Sequence, residues 1–285
     1  MKCAIVDLGS NTIRLSLYNT LENGGFETLF SKKYMAGLAG YVSHGIMSND
    51  GINQACAVLL DFKILLQQLG VKDMHVFATA SLRNIKNTEK ALETIKRRTG
   101  LSVDVIEGSE EGILGYYGAL YTTDLKNGIM FDIGGGSTEF SLFYEGKIIA
   151  SKSFKNGTVR LLNNMVNEVV WQEIEKWIKT NTEPFEDITL IGSGGNINKL
   201  FKLSEKQQDK PLSYVYVSSQ YQKLNSMTYE QRIAEIGLNP DRADVIIPAT
   251  RIYLNAMKWS GARHIYVPKI GLSDGIVKAM YYGRI

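Results

Sequence analysis

The chain has 285 residues, 44% of them hydrophobic, and its 32 basic against 29 acidic residues leave a formal charge of +3. That length supports one large domain or two ordinary ones with a real core. The near balance of charge excludes a dedicated nucleic-acid binder, so any attraction for a polyanion must come from local groups.

The first apolar run is too short for a signal peptide and is interrupted by Asp7, and no stretch approaches the roughly 20 apolar residues of a membrane span. Cys3 falls in the first predicted strand and Cys56 in a predicted helix. With no Cys-x-x-Cys spacing, both read as buried thiols of a reducing compartment, which places the chain in the cytoplasm. His44, His75 and His264 are isolated in sequence and read as structural or surface residues. No His/Cys metal cluster is expected.

Ala4–Val6 is a short apolar run stopped by Asp7-Leu8-Gly9-Ser10, a buried strand entering a tight turn. Ile13–Tyr18 alternates as a second strand, and Phe26–Tyr34 makes a third. The chain thus opens strand-turn-strand, unlike the strand-turn-helix of a dinucleotide-binding unit. Ser48, Asn49 and Asp50 offer caps for a helix over Ile52–Leu69 that stops at Gly70. Met74–Ala78 is a strand. Asn87 or Thr88 caps a helix running to Arg98, with Gly100 as its stop. Ser102–Ile106 is a strand, and Glu110–Tyr121 a helix with two acids where the helix dipole favours them.

After Asn127-Gly128 the opening pattern returns. Ile129–Ile133 is a strand, Gly134–Ser137 a glycine turn and Thr138–Tyr144 a strand, followed by Lys147–Phe154. This internal duplication points to two similar α/β domains facing a shared cleft. Beyond it lie a helix near Val166–Thr180, a strand at Ile188–Ile191, a Gly192-Ser193-Gly194-Gly195 turn and a helix over Asn196–Leu203. Ser204–Ser226 resists assignment. Tyr229–Ile236 and Ala243–Trp259 read as helices and Ile265–Val267 as a strand. The final helix, Ser273–Tyr282, is long enough to cross back onto the first domain.

The two strand-turn-strand loops carry the first chemical signal. Gly/Ser turns expose backbone N–H groups and let them approach an anion closely. Ser10, Asn11, Thr12, Ser137 and Thr138 add side-chain donors, and Asp7 and Asp132 sit at strand ends where carboxylates suit Mg²⁺. One such loop alone would be a plain hairpin; two copies, each preceded by an acid, point to a phosphate clamp. Arg83, just after a strand end, offers a planar fork for phosphate, though a solvated arginine stays open. Glu110 and Glu111 point about 100° apart on their helix. One of them can orient a water beside a phosphate, while simple helix-terminus complementarity remains the alternative. Gly192–Asn196 could cradle a phosphate at a helix N-terminus, a weak signal by itself. Trp171, Trp177 and Trp259 lie on apolar helix faces and read as core rather than ligand-stacking residues.

In combination and order, these motifs resemble the exopolyphosphatase / guanosine pentaphosphate phosphohydrolase (Ppx/GppA) family. Asp7-Leu8-Gly9-Ser10-Asn11-Thr12 is similar to its first phosphate loop, and Ala78–Arg83 to its second signature. Ile106–Gly112 resembles the segment of its catalytic glutamate, and Asp132–Glu139 its second phosphate loop. Gly157–Leu161, Gly192–Asn196, Arg242–Ile246 and Gly271–Gly275 continue the match. The resemblance implies two actin-like (ribonuclease H-like) domains around a central cleft: 1–124, with 274–285 packing back on it, and 125–273. It implies Mg²⁺, or another divalent cation, held by Asp7, Asp132 and Glu139, and Glu111 as general base, with Glu110 its possible confusion. Gly9, Ser10, Asn11, Thr12, Arg83, Gly134, Gly135, Gly136, Ser137, Thr138, Gly194 and Gly195 would bind phosphate, with Arg83 also assisting catalysis. The partners implied are inorganic polyphosphate or guanosine penta- and tetraphosphate, with no nucleic acid, no membrane and a homodimer.

Three departures stand out. The extra C-terminal helical region of larger members is not in this sequence, which argues against high processivity. Glu107 and Gly112 replace the usual Ser and Ala, and Ser273 replaces an Arg. A small-molecule kinase of the same superfamily and a nucleotide-dependent actin-like or chaperone-like protein are the rival readings; the paired acids and Asn11 favour hydrolysis.

Overall fold

A computed structural model describes residues 2–21, 25–119, 125, 127–207 and 210–283. The chain divides into two compact units, one made of Met1–Tyr117 with Leu272–Ile285 and the other of Gly118–Gly271.

The first unit is built on β1 (Lys2–Leu8), β2 (Ile13–Thr20) and β3 (Phe26–Tyr34), with a small hairpin β4 (Val42–Ser43) and β5 (Ile46–Met47), then β6 (Met74–Ala78) and β7 (Asp104–Val105). Sheet order is β3-β2-β1-β6-β7. β1–β2 and β2–β3 are antiparallel, and β1, β6 and β7 run parallel. The continuous apolar run in β1 follows from covering both faces. Ala4, Val6 and Leu8 point to one side, against α1 (Asn49–Gln68) and α3 (Thr88–Thr99). Cys3 and Ile5 point to the other, against α4 (Gly108–Ala119) and the last helix, Leu272–Tyr281. A one-turn helix, α2 (Ala80–Arg83), sits just beyond β6.

Ser48 caps α1 by accepting a hydrogen bond from the Gly51 N–H, and Gly100 ends α3 at φ 72°, a left-handed conformation suited to glycine. Phe62 of α1 is wholly buried in this core. Phe62→Ala should therefore cost about 3–5 kcal/mol, read as a lower denaturant midpoint with an unchanged slope.

The second unit repeats the plan. Its strands are β8 (Asn127–Ile133), β9 (Thr138–Tyr144), β10 (Lys147–Phe154), β11 (Thr189–Ser193), β12 (Leu212–Ser213) and β13 (His264–Tyr266). They are ordered β10-β9-β8-β11-β13-β12. β8–β9 and β9–β10 are antiparallel, while β8, β11 and β13 are parallel. Leaving aside the two-residue β12, both sheets have the order third-second-first-fourth-fifth. The duplication read from the hairpins thus extends to the whole sheet. One core joins Ile129, Phe131 and Ile133 of β8 to α6 (Glu168–Thr182), α7 (Gly195–Leu203), α8 (Tyr214–Ser226) and α11 (Ile246–Ser260). Trp171 is part of this core, and Trp177 and Trp259 pack against it.

Several boundaries differ from expectation. The unassigned stretch Ser204–Ser226 contains β12 and α8. The helix is rich in Tyr, Val and Ser, buries only Val217 and Leu224, and is started by Ser213 accepting from the Tyr216 N–H, so it has little readable stripe. The single helix expected over Ala243–Trp259 is two, α10 (Pro240–Ala243) and α11. Short helices α5 (Thr158–Leu162) and α9 (Tyr229–Ala234) complete the unit, and α12 is Leu272–Tyr281 of the first. The helix expected to reach Tyr121 begins at Gly108; Tyr121 lies outside the described residues. Among the described residues no helix is long and apolar enough to cross a membrane.

Candidate active site

Both hairpins close identically. Gly9 N–H donates to the Thr12 carbonyl at 3.0 Å, and Gly134 N–H to the Ser137 carbonyl at 3.0 Å. Each begins with a glycine for the same reason: a methyl on Gly9 would lie 2.9 Å from the Thr12 oxygen, and on Gly134 3.3 Å from that of Ser137. Gly9, Ser10, Asn11 and Thr12 therefore correspond to Gly134, Gly135, Gly136 and Ser137. The strand registers make Asp7 face Arg14 and Asp132 face Glu139. This is the chief difference between the copies. A cation stands beside the first aspartate, and a second carboxylate beside the other.

In the first unit the hairpin lies at the carboxyl end of β1, in register with that of β6, since Leu8 pairs with Ala78. Ligand-binding loops gather at such ends in α/β sheets. Ser81 Oγ donates to the Leu8 carbonyl, and Gly37 and Ala39 N–H groups donate to the Asn11 and Ser10 carbonyls, so the loop is held from both sides. Arg83 is the last residue of α2. Its Nη1 donates to the Ile106 carbonyl and to Glu111 Oε2, both at 2.8 Å, and the two side chains are only 10% and 11% exposed. The first turn of α4 thus separates its acids: Glu111 turns inward onto Arg83, while Glu110 and Glu107 are exposed. Asn11 and Thr12 are half-buried and Ser10 is buried.

In the second unit α5 clamps the glycine hairpin. Thr158 and Val159 N–H groups donate to the Gly134 and Gly135 carbonyls at 3.0 Å, and Arg160 Nε donates to the Gly136 carbonyl at 2.8 Å. Thr138 is fully buried, and its hydroxyl donates to the Asn156 carbonyl at 2.7 Å. Its proton therefore holds the loop instead of reaching outward, unlike the phosphate contact the family pattern implies. Glu139 is buried too, accepting from Ser153 Oγ at 2.8 Å. Asp132 lies beside Ser193 in the β8–β11 register. Gly194, at φ 101°, brings its Cα so close that a methyl would sit 3.0 Å from Asp132 Oδ1. Gly194 thus lies against Asp132 near the end of β8.

Sequence reasoning did not single out Arg242. Its guanidinium covers Gly195 so closely that any side chain there would overlap it, and its Nη1 reaches Asn196 Oδ1 at 3.4 Å. A cation is thereby placed at the start of α7. The only sequence signal was its place in a matching segment 47 residues from Gly195. Buried Tyr253 is held un-ionised by burial first and by the charge of Asp132 second.

Two units with the same third-second-first-fourth-fifth sheet, each with a Gly/Ser hairpin and an aspartate at the end of its first strand, make a duplicated α/β fold of actin-like topology. A profile of the Ppx/GppA phosphatase family matches residues 19–282. The chain belongs to the Ppx/GppA family. Over 98% of its length it is 25% identical to the bifunctional 3-dehydroquinate synthase/phosphatase of Fusobacterium nucleatum, 46% of which is covered. Over 56% of its length it is 32% identical to a guanosine-5'-triphosphate,3'-diphosphate pyrophosphatase of Aliivibrio fischeri, 32% of which is covered. The chain thus spans less than half the length of these curated relatives. Among solved structures, an exopolyphosphatase from Cytophaga hutchinsonii superposes with a TM-score of 0.85 at 23% identity, covering 99% of this chain and 98% of that one. The Ppx/GppA family member of Aquifex aeolicus gives 0.81 at 24% identity, covering 100% and 98%.

Proposed function

We propose that the chain is a phosphohydrolase releasing terminal orthophosphate from inorganic polyphosphate, or the 5′ phosphate of pppGpp, through a water activated by Glu111. The observation that carries this reading is the largely buried Arg83–Glu111 pair, at the end of the one-turn helix whose Ser81 holds the start of the Gly9–Thr12 hairpin. A carboxylate at a phosphate-binding loop is the group needed to take a proton from water as it attacks phosphorus. The inward turn of Glu111 favours it over Glu110.

In this reading, backbone N–H groups of the hairpins and the hydroxyl and amide groups of Asn11, Thr12 and Ser137 hold phosphoryl oxygens. Arg83 orients Glu111 and offsets charge developing in the transition state. Water forms the new P–O bond and gives its proton to Glu111, and the shortened chain leaves with the electrons of the broken P–O bond. The hard oxygen donors of Asp132 and Glu139, adjacent across β8–β9, fit Mg²⁺. Asp7, opposite Arg14, is a weaker place for a cation. The ion would neutralise phosphate charge.

A panel of polyphosphate lengths, pppGpp, ppGpp and ATP, assayed with Mg²⁺ for released orthophosphate, tests the proposal. Release from polyphosphate or pppGpp without any acceptor is expected. No release from any of them would sink it, and release that required a small-molecule acceptor would favour a kinase.

A further inference from the structure

The histidines are not all isolated. His75 Nε2 lies 2.8 Å from Asp73 Oδ1, and one ligand atom from each of Cys3, Asp73 and His75 lies within 4.8 Å of the others. The parallel pairing of β1 with β6 creates this cluster. Ala4 N–H donates to the Asp73 carbonyl at 2.9 Å, and Ile5 is level with His75. Cys3 and Ile5 share the sheet face that α12 covers; His75 of β6 pairs with Ile5 and so faces the same way, and Asp73, just before β6, reaches it.

We propose that Cys3, Asp73 and His75 form a binding site for a borderline-soft divalent cation, of which Zn²⁺ is the best fit. A thiolate, an imidazole and a carboxylate are all Zn²⁺ ligands, and three protein ligands with a fourth place for water is a recurrent arrangement. The three ligand atoms are close enough to converge on one ion, which would replace the hydrogen bond between His75 and Asp73. Cys3 is 4% exposed, whereas the His75 and Asp73 side chains are 34% and 40% exposed, which leaves an ion a route from solvent. Stacking of His75 on Phe77, with centroids 6.5 Å apart, holds the ring. Burial first, then the charge of Asp73, pushes the Cys3 thiol up to about 12, so an ion must displace its proton in order to bind.

The site lies at the opposite end of β1 from Asp7, about 13 Å away at roughly 3.3 Å per residue. Its role is to tie the start of β1 to β6 under α12, independent of the hydrolytic chemistry.

Cobalt titration of the full chain after dialysis against a chelator tests the proposal. Wild type should take up Co²⁺ with a near-ultraviolet thiolate-to-cobalt absorption that Zn²⁺ bleaches. C3S should abolish the absorption and C56S should keep it. H75Q, at a half-exposed position that the fold tolerates, should weaken Co²⁺ affinity by at least about tenfold, with an unchanged circular dichroism spectrum. No thiolate band in wild type, a band that survives in C3S, or H75Q affinity equal to wild type would each overturn the assignment.

Discussion

Glu111→Gln should lower the rate of orthophosphate release by about 10²–10⁴-fold while leaving the fold intact. Glutamine keeps a carbonyl oxygen for Arg83 Nη1 but cannot accept the proton of water. The loss should therefore fall on kcat, with KM nearly unchanged, and the acidic limb of the kcat/KM profile should disappear. Glu110→Gln should behave like wild type, because Glu110 is exposed beside the pair rather than part of it. Steady-state assays of both variants, with circular dichroism as the folding control, check this. If E111Q released phosphate at the wild-type rate, Glu111 would lose its role.

Gly157→Ala should have an effect of similar size by a different route. A methyl at this position would overlap the backbone of Gly135 and Gly136. No flexible side chain can move aside, so the second hairpin must shift. The shift would break the hydrogen bonds by which Thr158, Val159 and Arg160 fix that hairpin. A stability loss of about 1–3 kcal/mol is expected from the overpacking. Phosphate release should fall further than that loss alone would explain, because clamp donors must be placed to within a fraction of an ångström. Gly40→Ala is the matched control: nothing lies within 4 Å of a methyl there, and its melting temperature and activity should match wild type. Wild-type activity in G157A would show that the hairpin geometry does not matter.

The legible parts of the molecule were those encoded by neighbours in sequence. Asp7-Leu8-Gly9-Ser10 and Asp132-Ile133-Gly134-Gly135 announced themselves because a strand end, a turn and a carboxylate occur together within a few residues. Ser48 and Gly100 marked helix ends for the same reason. Contacts made by distant segments were hidden. Thr138 looked like a phosphate donor until β10 and its following loop brought the Asn156 carbonyl to its hydroxyl. Arg242 met Gly195 only through the packing of α10 and α7, and Cys3 met His75 only through a parallel crossover, whose register no local pattern encodes. Helix α8 was obscure because Tyr, Val and Ser prefer other conformations, and two buried positions suffice to dock it. The distinction between Glu110 and Glu111 likewise needed the observed pairing with Arg83.

The first unit is discontinuous in the chain, and α12 seals one face of its sheet. Tyr18 is buried there, donating to Asp274 Oδ1 at 3.0 Å, and Ile276 and Ala279 cover Cys3 and Ile5. A ribosome makes the residues of α12 only after those of the whole second unit. The amino-terminal half must therefore wait, with an uncovered apolar face, until its successor has emerged and can already have folded. Translation order and maturation order are thus inverted. Any nascent chain arrested short of α12 would present an intact second unit attached to an unfinished first one, a natural substrate for chaperones.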